Sequence, residues 1–71
     1  VYVADTKNDR VQEFISGNNQ GTTVVGINGY AFYPLAQPTA ITMDEQGYLL
    51  VADQWNRRII RCISSMCRCE I

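Results

Sequence analysis

Short apolar runs alternate with turn-forming residues along the chain. The run from Tyr48 to Ala52, for example, is apolar throughout and lies between Gly47 and a polar segment. This length is typical of a strand that is covered on both faces, and no segment keeps an apolar period of 3.6 residues for three helical turns. Segments rich in Val and Ile follow the polar turns, which also favours strands. The pattern predicts an all-β chain with six strands, at residues 1–4, 10–15, 22–27, 39–43, 48–52 and 58–63.

An internal repeat relates the two ends of the chain. At an offset of 48 residues, positions 1–17 align with positions 49–65, and seven of these 17 pairs are identical. The identities include Val-Ala-Asp at 3–5 and at 51–53. Four short strands in a unit of 40–50 residues is the layout of a β-propeller blade. The repeat therefore predicts stacked blades rather than a helical repeat of similar length.

The second unit carries the motifs of a known repeat family. After Pro38 come a short apolar strand, Asp-x-x-Gly at 44–47, an apolar strand that ends in Val-Ala-Asp at 51–53, and Asn-x-Arg at 56–58. This order resembles an NHL repeat, and residues 1–14 are similar to the later part of a preceding repeat. The resemblance implies an antiparallel four-stranded blade plus part of a second blade of an NHL-type β-propeller, with six blades in the full protein.

The resemblance also divides the chain into segments. Because the sequence opens at Val1 inside an apolar run, we expect a fragment or a processed product, with the remaining blades elsewhere in its full-length chain. The segments are the end of one repeat at 1–29, an inter-blade loop at 30–37, the following repeat at 38–65 and a divergent cysteine-containing tail at 66–71.

Composition predicts only marginal stability for the chain by itself. Apolar residues make up 46% of the 71 residues and charged residues 18%, which argues against disorder. A chain this short buries only about 60% of the surface that its unfolded form exposes, so its stability is small. No apolar run approaches the ~18 residues that span a membrane, and we expect no membrane insertion.

Charge and residue types narrow the chemistry. The net charge of −1 gives no basic excess for a phosphate backbone or an anionic lipid surface. The chain has no histidine, so Ser-His-Asp and Cys-His nucleophiles are excluded within it. Three cysteines without histidine do not complete a four-ligand zinc site. We expect no catalytic residue, no metal and no cofactor in this chain.

A polar motif follows each Val-Ala-Asp strand. Its aspartates could form a carboxylate pair for acid–base or metal chemistry, or each could accept backbone N–H bonds in a tight turn with arginine as its charge partner. A catalytic residue is normally unique, whereas this motif occurs once per unit. We therefore predict a structural turn motif that consists of Asp5, Asn8, Arg10, Asp53, Asn56 and Arg58.

Three cysteines lie near the end of the sequence. A disulfide of Cys62 with Cys67 or Cys69 would suit an extracellular protein, and free or externally paired thiols are the other interpretation. This consideration slightly favours an extracellular location over a cytoplasmic one, but it leaves the compartment unassigned.

The two turns differ at positions next to the repeated motif. Lys7 and Asp9 stand where the second unit has Trp55 and Arg57. Because Trp and Arg are enriched at binding hot spots, we predict that these four residues form a binding rim for a protein or peptide, with RNA as a further ligand class. The competing interpretation is that Trp55 covers the adjacent blade.

The resemblance to NHL proteins implies two classes of function. The first is a non-catalytic interaction scaffold. The alternative is part of a propeller enzyme that resembles the peptide-amidating lyase or a propeller hydrolase, which use metal, His and Tyr around a central channel. The absence of His from the sequence favours the scaffold.

Three aromatic residues, Tyr30, Phe32 and Tyr33, lie close together in the sequence. They could form a platform on which a ligand stacks, or they could pack between neighbouring blades.

Overall fold

The described part of the protein consists of two four-stranded sheets. The computed structural model describes residues 1–17, 19–29 and 31–71. The first sheet contains, in spatial order, β1 (Tyr2–Asp5), β2 (Arg10–Glu13), β3 (Thr22–Gly26) and β4 (Ala31–Phe32). The second contains, in spatial order, β5 (Pro38–Met43), β6 (Leu49–Asp53), β7 (Arg58–Ile63) and β8 (Met66–Cys69). Two short 3-10 helices, Thr6–Asn8 and Gln54–Asn56, connect β1 to β2 and β6 to β7.

The all-β class predicted from the sequence is confirmed. Each of the six predicted strands coincides with an observed strand to within two residues at either end. The second sheet is antiparallel throughout, and the first is antiparallel except that β4 runs parallel to β3. Among the residues described, no helix has the length and apolar character needed to cross a membrane.

The segment predicted as a divergent tail contains a strand. We expected one complete sheet and only part of a second, but both sheets have four strands. β8 lies within residues 66–71 and pairs antiparallel with β7, with Met66 opposite Ile63. Ser64 has a φ of 51°, and this left-handed conformation tightens the connection between the two strands. Comparison of the two units did not predict β8 because the first unit has no matching sequence after Gly17.

The repeat is preserved in the strand register. Asp5 lies opposite Arg10 in the first sheet, and Asp53 lies opposite Arg58 in the second. β6 has a strand on each side, because β5 pairs with the edge that β7 leaves open. Its counterpart β1 has β2 as its only strand neighbour among the described residues. β1 is therefore an edge strand, whereas the equivalent β6 is internal.

The apolar core lies between the two sheets. It consists of Val11, Val25, Ala31, Leu35, Leu49, Val51, Ile60 and Cys62. Val11 is completely buried and corresponds in the repeat to Ile59, yet the second sheet buries Ile60 instead. Because side chains alternate between the faces of a strand, the sheets meet through opposite faces of the repeated unit. The two units are therefore stacked in the same orientation, with one face of the first sheet against the opposite face of the second.

The outer face of the second sheet carries an apolar groove. The groove has a volume of about 210 Å³ and is lined by Ala40, Ile41, Thr42, Leu50, Ala52 and Ile59. Ala52 and Ile59 correspond to Ala4 and Val11 in the repeat, and Val11 is buried beneath the second sheet. One face of the repeat is thus covered in the first unit and uncovered in the second.

Candidate functional site

A buried carboxylate organises the turn of the second unit. The Asp53 side chain is completely buried, and its Oδ2 accepts hydrogen bonds from Asn56 Nδ2 at 2.8 Å and from Arg58 Nε at 2.7 Å. Oδ1 accepts a third bond from the backbone N–H of Ala36 at 2.6 Å. A buried charge is tolerated when a partner of opposite sign and further hydrogen bonds surround it. The Asp53 carboxylate therefore holds both the turn that follows β6 and the segment that precedes β5, residues 33–37, which we call the linker.

Arg58 extends this contact along the linker. Its Nη2 donates a hydrogen bond to the carbonyl oxygen of Pro34 at 2.7 Å, and its guanidinium lies 4.7 Å above the centroid of the Tyr33 ring. Leu35, between Pro34 and Ala36, is buried in the core. Asp53 and Arg58 thus bind residues 33–36 through backbone atoms and one aromatic face.

The first unit has the same motif in an incomplete form. Asp5 Oδ2 accepts hydrogen bonds from Arg10 Nε at 2.8 Å and from Asn8 Nδ2 at 3.0 Å. The hydrogen bond from Arg10, and then that from Asn8, lowers the pKa of Asp5 below its ordinary value. The Asp5 side chain is 26% exposed, and its Oδ1 accepts no hydrogen bond from the described residues. The predicted motif is thus present in both units, but only the second holds a linker.

The two turns share one backbone conformation and present different side chains. Asp9 and Arg57, which follow the short 3-10 helices, have φ values of 54° and 53°. Their backbone N–H groups donate to the carbonyl oxygens of Thr6 and Gln54. All four predicted rim residues are exposed, and they are Lys7, Asp9, Trp55 and Arg57. Trp55 has 70% of its surface in solvent.

The linker brings these two turns to the same edge of the molecule. The Trp55 N–H donates to the carbonyl oxygen of Ala36 at 3.1 Å, and the Gln37 N–H donates to Asp9 Oδ1 at 2.8 Å. Thr6 Oγ1 also donates to the carbonyl oxygen of Pro38 at 2.7 Å. Ala36 therefore contacts the second turn, while Gln37 and Pro38, the first residue of β5, contact the first turn. Asp9 has a structural contact in addition to its place on the predicted rim.

The role of the linker was the part that sequence reasoning missed. Residues 33–36 lie within the predicted inter-blade loop at 30–37, yet they contact the Asp53–Arg58 pair. A usable signal was present, since Pro34 and Pro38 favour an extended chain that presents its backbone to neighbours. Of the aromatic group, Tyr33 lies beneath Arg58, Phe32 is 68% exposed, and Tyr30 lies outside the described residues.

Two of the three cysteines form a disulfide. Cys62 and Cys67 are directly opposite each other on β7 and β8, with their Cα atoms 4.0 Å apart, and they are bonded. Cys69 is an exposed free thiol. Within the described part of the chain, no cluster of three or more His, Cys, Asp or Glu side chains could hold a metal ion.

Comparisons with known proteins add no relative. Searches against protein-family models, curated proteins and solved structures gave no match for this chain.

Proposed function

We propose that this chain is a non-catalytic segment of an NHL-type β-propeller that acts as an interaction scaffold for a protein or peptide. The observation that carries the proposal is the exposure of Trp55 on a turn that the linker holds beside the first turn. A large amphipathic ring in this position offers contact area at low cost in side-chain entropy. Arg57 on the same turn adds a second residue type that is common at hot spots.

The contrast between the fixed and variable positions of the turns supports a binding role. Asp5 and Asp53 accept the same pair of side-chain hydrogen bonds in their own units, so the scaffold is constant. The neighbouring residues are exposed and differ in charge and size between the units: Lys7 against Trp55, and Asp9 against Arg57. Variation on a constant frame is what a recognition surface requires.

A protein or peptide partner suits the rim better than RNA. RNA binding without a specific pocket depends on an excess of Lys and Arg, and the chain carries a net charge of −1. The rim combines one lysine, one arginine and one aspartate around a tryptophan. This mixed charge fits a polypeptide surface that carries both signs.

The uncovered outer face of the second sheet supports the assignment to a stacked array. Ala52 and Ile59 lie on this face, and Val11, the counterpart of Ile59, is buried by a neighbouring sheet. A further unit of the same protein would cover the groove in the way that the second sheet covers the first. The remaining blades of a propeller are the neighbours that this arrangement calls for.

Selection from a random peptide phage library tests the proposed rim. The wild-type chain is the target, and the Trp55→Ala and Arg57→Ala chains are used for counter-selection. We expect peptides that bind the wild type and lose binding to both variants. Met66→Ala is the matched control, because Met66 is 72% exposed and lies on β8, away from both turns. The Met66→Ala chain should bind the selected peptides as tightly as the wild type does.

Two results would contradict the proposal. Selected peptides that bind the Trp55→Ala and Arg57→Ala chains as tightly as the wild type would place recognition elsewhere. Saturable binding of polyuridylate or polyadenylate RNA, tighter than that of any selected peptide, would assign the surface to nucleic acid.

A further inference from the structure

We infer that the rim takes an acidic peptide segment, whose carboxylates contact Lys7 and Arg57 while an apolar side chain packs on Trp55. This inference rests on the scaffold function proposed above and names the chemistry of the partner. Two independent observations support it: the placement of unpaired charges over the molecule, and the backbone conformation of Arg57.

Both cations of the rim lack an acidic partner in the described part of the chain. The sequence contains six Lys and Arg residues. Four of them form ion pairs with N–O distances from 2.7 to 3.3 Å, and these are Arg10, Arg58, Arg61 and Arg68. The other two are Lys7 and Arg57, and both are exposed. An exposed cation without a partner in its own chain is available to a carboxylate of another molecule.

Acidic side chains without an ion pair lie at the opposite end of the strands. Glu13 ends β2, which begins next to the first turn, and Glu45 lies in the turn between β5 and β6. Neither forms an ion pair with a described residue. The rim has two cations and one aspartate, so it is locally positive although the whole chain has a net charge of −1. This polarity steers an acidic segment toward the rim.

The linker joins the two turns into one surface and engages the rim's aspartate. Asp9 Oδ1 accepts the N–H of Gln37 at 2.8 Å, and the Trp55 N–H donates to the adjacent residue Ala36 at 3.1 Å. Because consecutive Cα atoms are about 3.8 Å apart, these contacts hold one cation from each turn near the same tryptophan. The core shows that the units stack through the faces of their sheets, whereas the rim lies at the strand ends. Stacking therefore covers a different surface.

The backbone of Arg57 is the second observation. Its φ of 53° and ψ of 45° are left-handed. Gly, Asn and Asp adopt this conformation more readily than a residue with a long side chain, and the first turn has Asp9 at the same position with a φ of 54°. The second turn keeps an arginine there, although its side chain forms no ion pair with a described residue that would offset the cost. Residues held in such conformations cluster at ligand-binding sites.

A peptide fits this arrangement of charges better than a polynucleotide does. A nucleic acid strand carries a phosphate at every nucleotide, so its charges would also face Asp9 and a chain with a net charge of −1. A peptide can place carboxylates opposite Lys7 and Arg57 alone and neutral side chains elsewhere.

Two matched phage libraries test the charge of the partner. Both carry randomised apolar positions, which are flanked by Asp or Glu in the first library and by Asn or Gln in the second. We expect only the first library to yield peptides that bind the full wild-type chain and lose binding to Trp55→Ala. Replacement of the carboxylates of the tightest peptide by amides should weaken its binding by about tenfold or more.

Charge variants of the protein complete the test. Lys7→Gln and Arg57→Gln should each weaken the tightest acidic peptide by about fivefold, because each removes one of the two cations. Arg68→Gln is the matched control, since the Arg68 side chain is 72% exposed and lies on β8, outside the rim. This variant removes the same charge from the chain and should bind the peptide as tightly as the wild type does.

A second substitution of Arg57 separates binding from stability. Arg57→Asn should weaken the acidic peptide by about the same factor as Arg57→Gln, because both remove the cation. It should also raise the midpoint of urea unfolding, because asparagine adopts the left-handed backbone at lower cost. Arg57→Gln keeps a long side chain at this position and should leave the midpoint near that of the wild type.

The outcomes that would overturn the inference are distinct from those that would overturn the scaffold function. Amide peptides that bind as tightly as acidic ones and depend on Trp55 would overturn the acidic partner and leave the scaffold standing. Absence of any Trp55-dependent peptide from both libraries would contradict both proposals. Polyuridylate that binds the chain more tightly than every acidic peptide would assign the rim to nucleic acid. A lower urea midpoint for Arg57→Asn would show that Arg57 stabilises its turn.

Discussion

Arg58 donates a hydrogen bond to the completely buried Asp53 across 2.7 Å, and the equivalent pair in the first unit, Arg10 and Asp5, remains partly exposed. The bond geometry is nearly the same in both pairs. Burial differs because the linker covers only the second pair. A buried charge depends on its partner more than an exposed one does, since water cannot replace the lost contact. Loss of the arginine partner should therefore lower the free energy of unfolding more in the second unit than in the first.

Substitution of the two arginines measures this difference. Arg58→Met should lower the free energy of unfolding by about 3–5 kcal/mol, because it leaves Asp53 as an unpaired buried charge. Arg10→Met, the matched change at the partly exposed pair, should cost clearly less. Urea unfolding of both variants gives the two values. Equal losses would show that the linker does not shield the second pair.

The pH dependence of Asp5 follows from its hydrogen bonds. Arg10, and to a smaller extent Asn8, lowers the pKa of Asp5 from its ordinary value of 3.8. Because the unfolded chain protonates this group at higher pH than the folded chain, Asp5 contributes stability above pH 3.8. That contribution is lost as the pH falls through the lower pKa of the folded state. An NMR titration of the Asp5 carboxyl carbon should give a pKa below 3.8, and Arg10→Met should raise it. A wild-type value at or above 3.8 would contradict the hydrogen-bond geometry.

Two adjacent isoleucines test which face of β7 lies in the core. Ile60 is completely buried between the sheets, whereas Ile59 lines the outer groove. Ile60→Ala should lower the free energy of unfolding by about 2–5 kcal/mol through lost contacts and a residual cavity. Ile59→Ala should cost less than half as much in the same urea experiment. The reverse order would mean that the sheets stack through the other face.

Thiol chemistry tests the pairing of β7 with β8. The native chain should react with one equivalent of maleimide, at Cys69, because Cys62 and Cys67 are bonded. Reduction and unfolding should expose three thiols. Replacement of Cys62 and Cys67 together by alanine should lower the free energy of unfolding by about 2 kcal/mol, as expected for the short loop that the bond closes. Labelling of Cys67 in the unreduced chain would contradict this pairing.

Sequence reasoning was sufficient for six of the eight strands found among the described residues, because the signals of those six are local. Alternation of apolar runs with Gly, Asn and Asp marks each strand within a few residues of its ends. That both units share one register was also accessible, since the repeat places Asp5 and Arg10 where the second unit has Asp53 and Arg58. β8 was missed because its sequence matches nothing in the first unit, where β3 pairs with β2 in the corresponding place, and because it contains two cysteines and an arginine within four residues. β4 was missed because it has only two residues and lies within the predicted inter-blade loop at 30–37.

The site could not be predicted in the same way because its contacts join distant positions. The bonds from Ala36 to Asp53 and from Arg58 to Pro34 span 17 and 24 residues. A repeated motif shows that Asp53 has a structural role, but it does not identify the partner that the carboxylate binds. The choice between Cys67 and Cys69 was similarly open until strand register placed Cys67 opposite Cys62.

The affinity of the Trp55→Ala chain for a peptide selected on the wild type, measured by calorimetry on protein of known folded fraction, tests the proposed scaffold function most directly. We expect a loss of at least about fivefold, or 1 kcal/mol, with a nearly unchanged melting temperature. The reason is that Trp55 is largely in solvent and that its backbone N–H, which alanine keeps, donates to the linker. A lower melting temperature with unaltered affinity in the folded protein would instead show that Trp55 stabilises the fold and does not bind a partner.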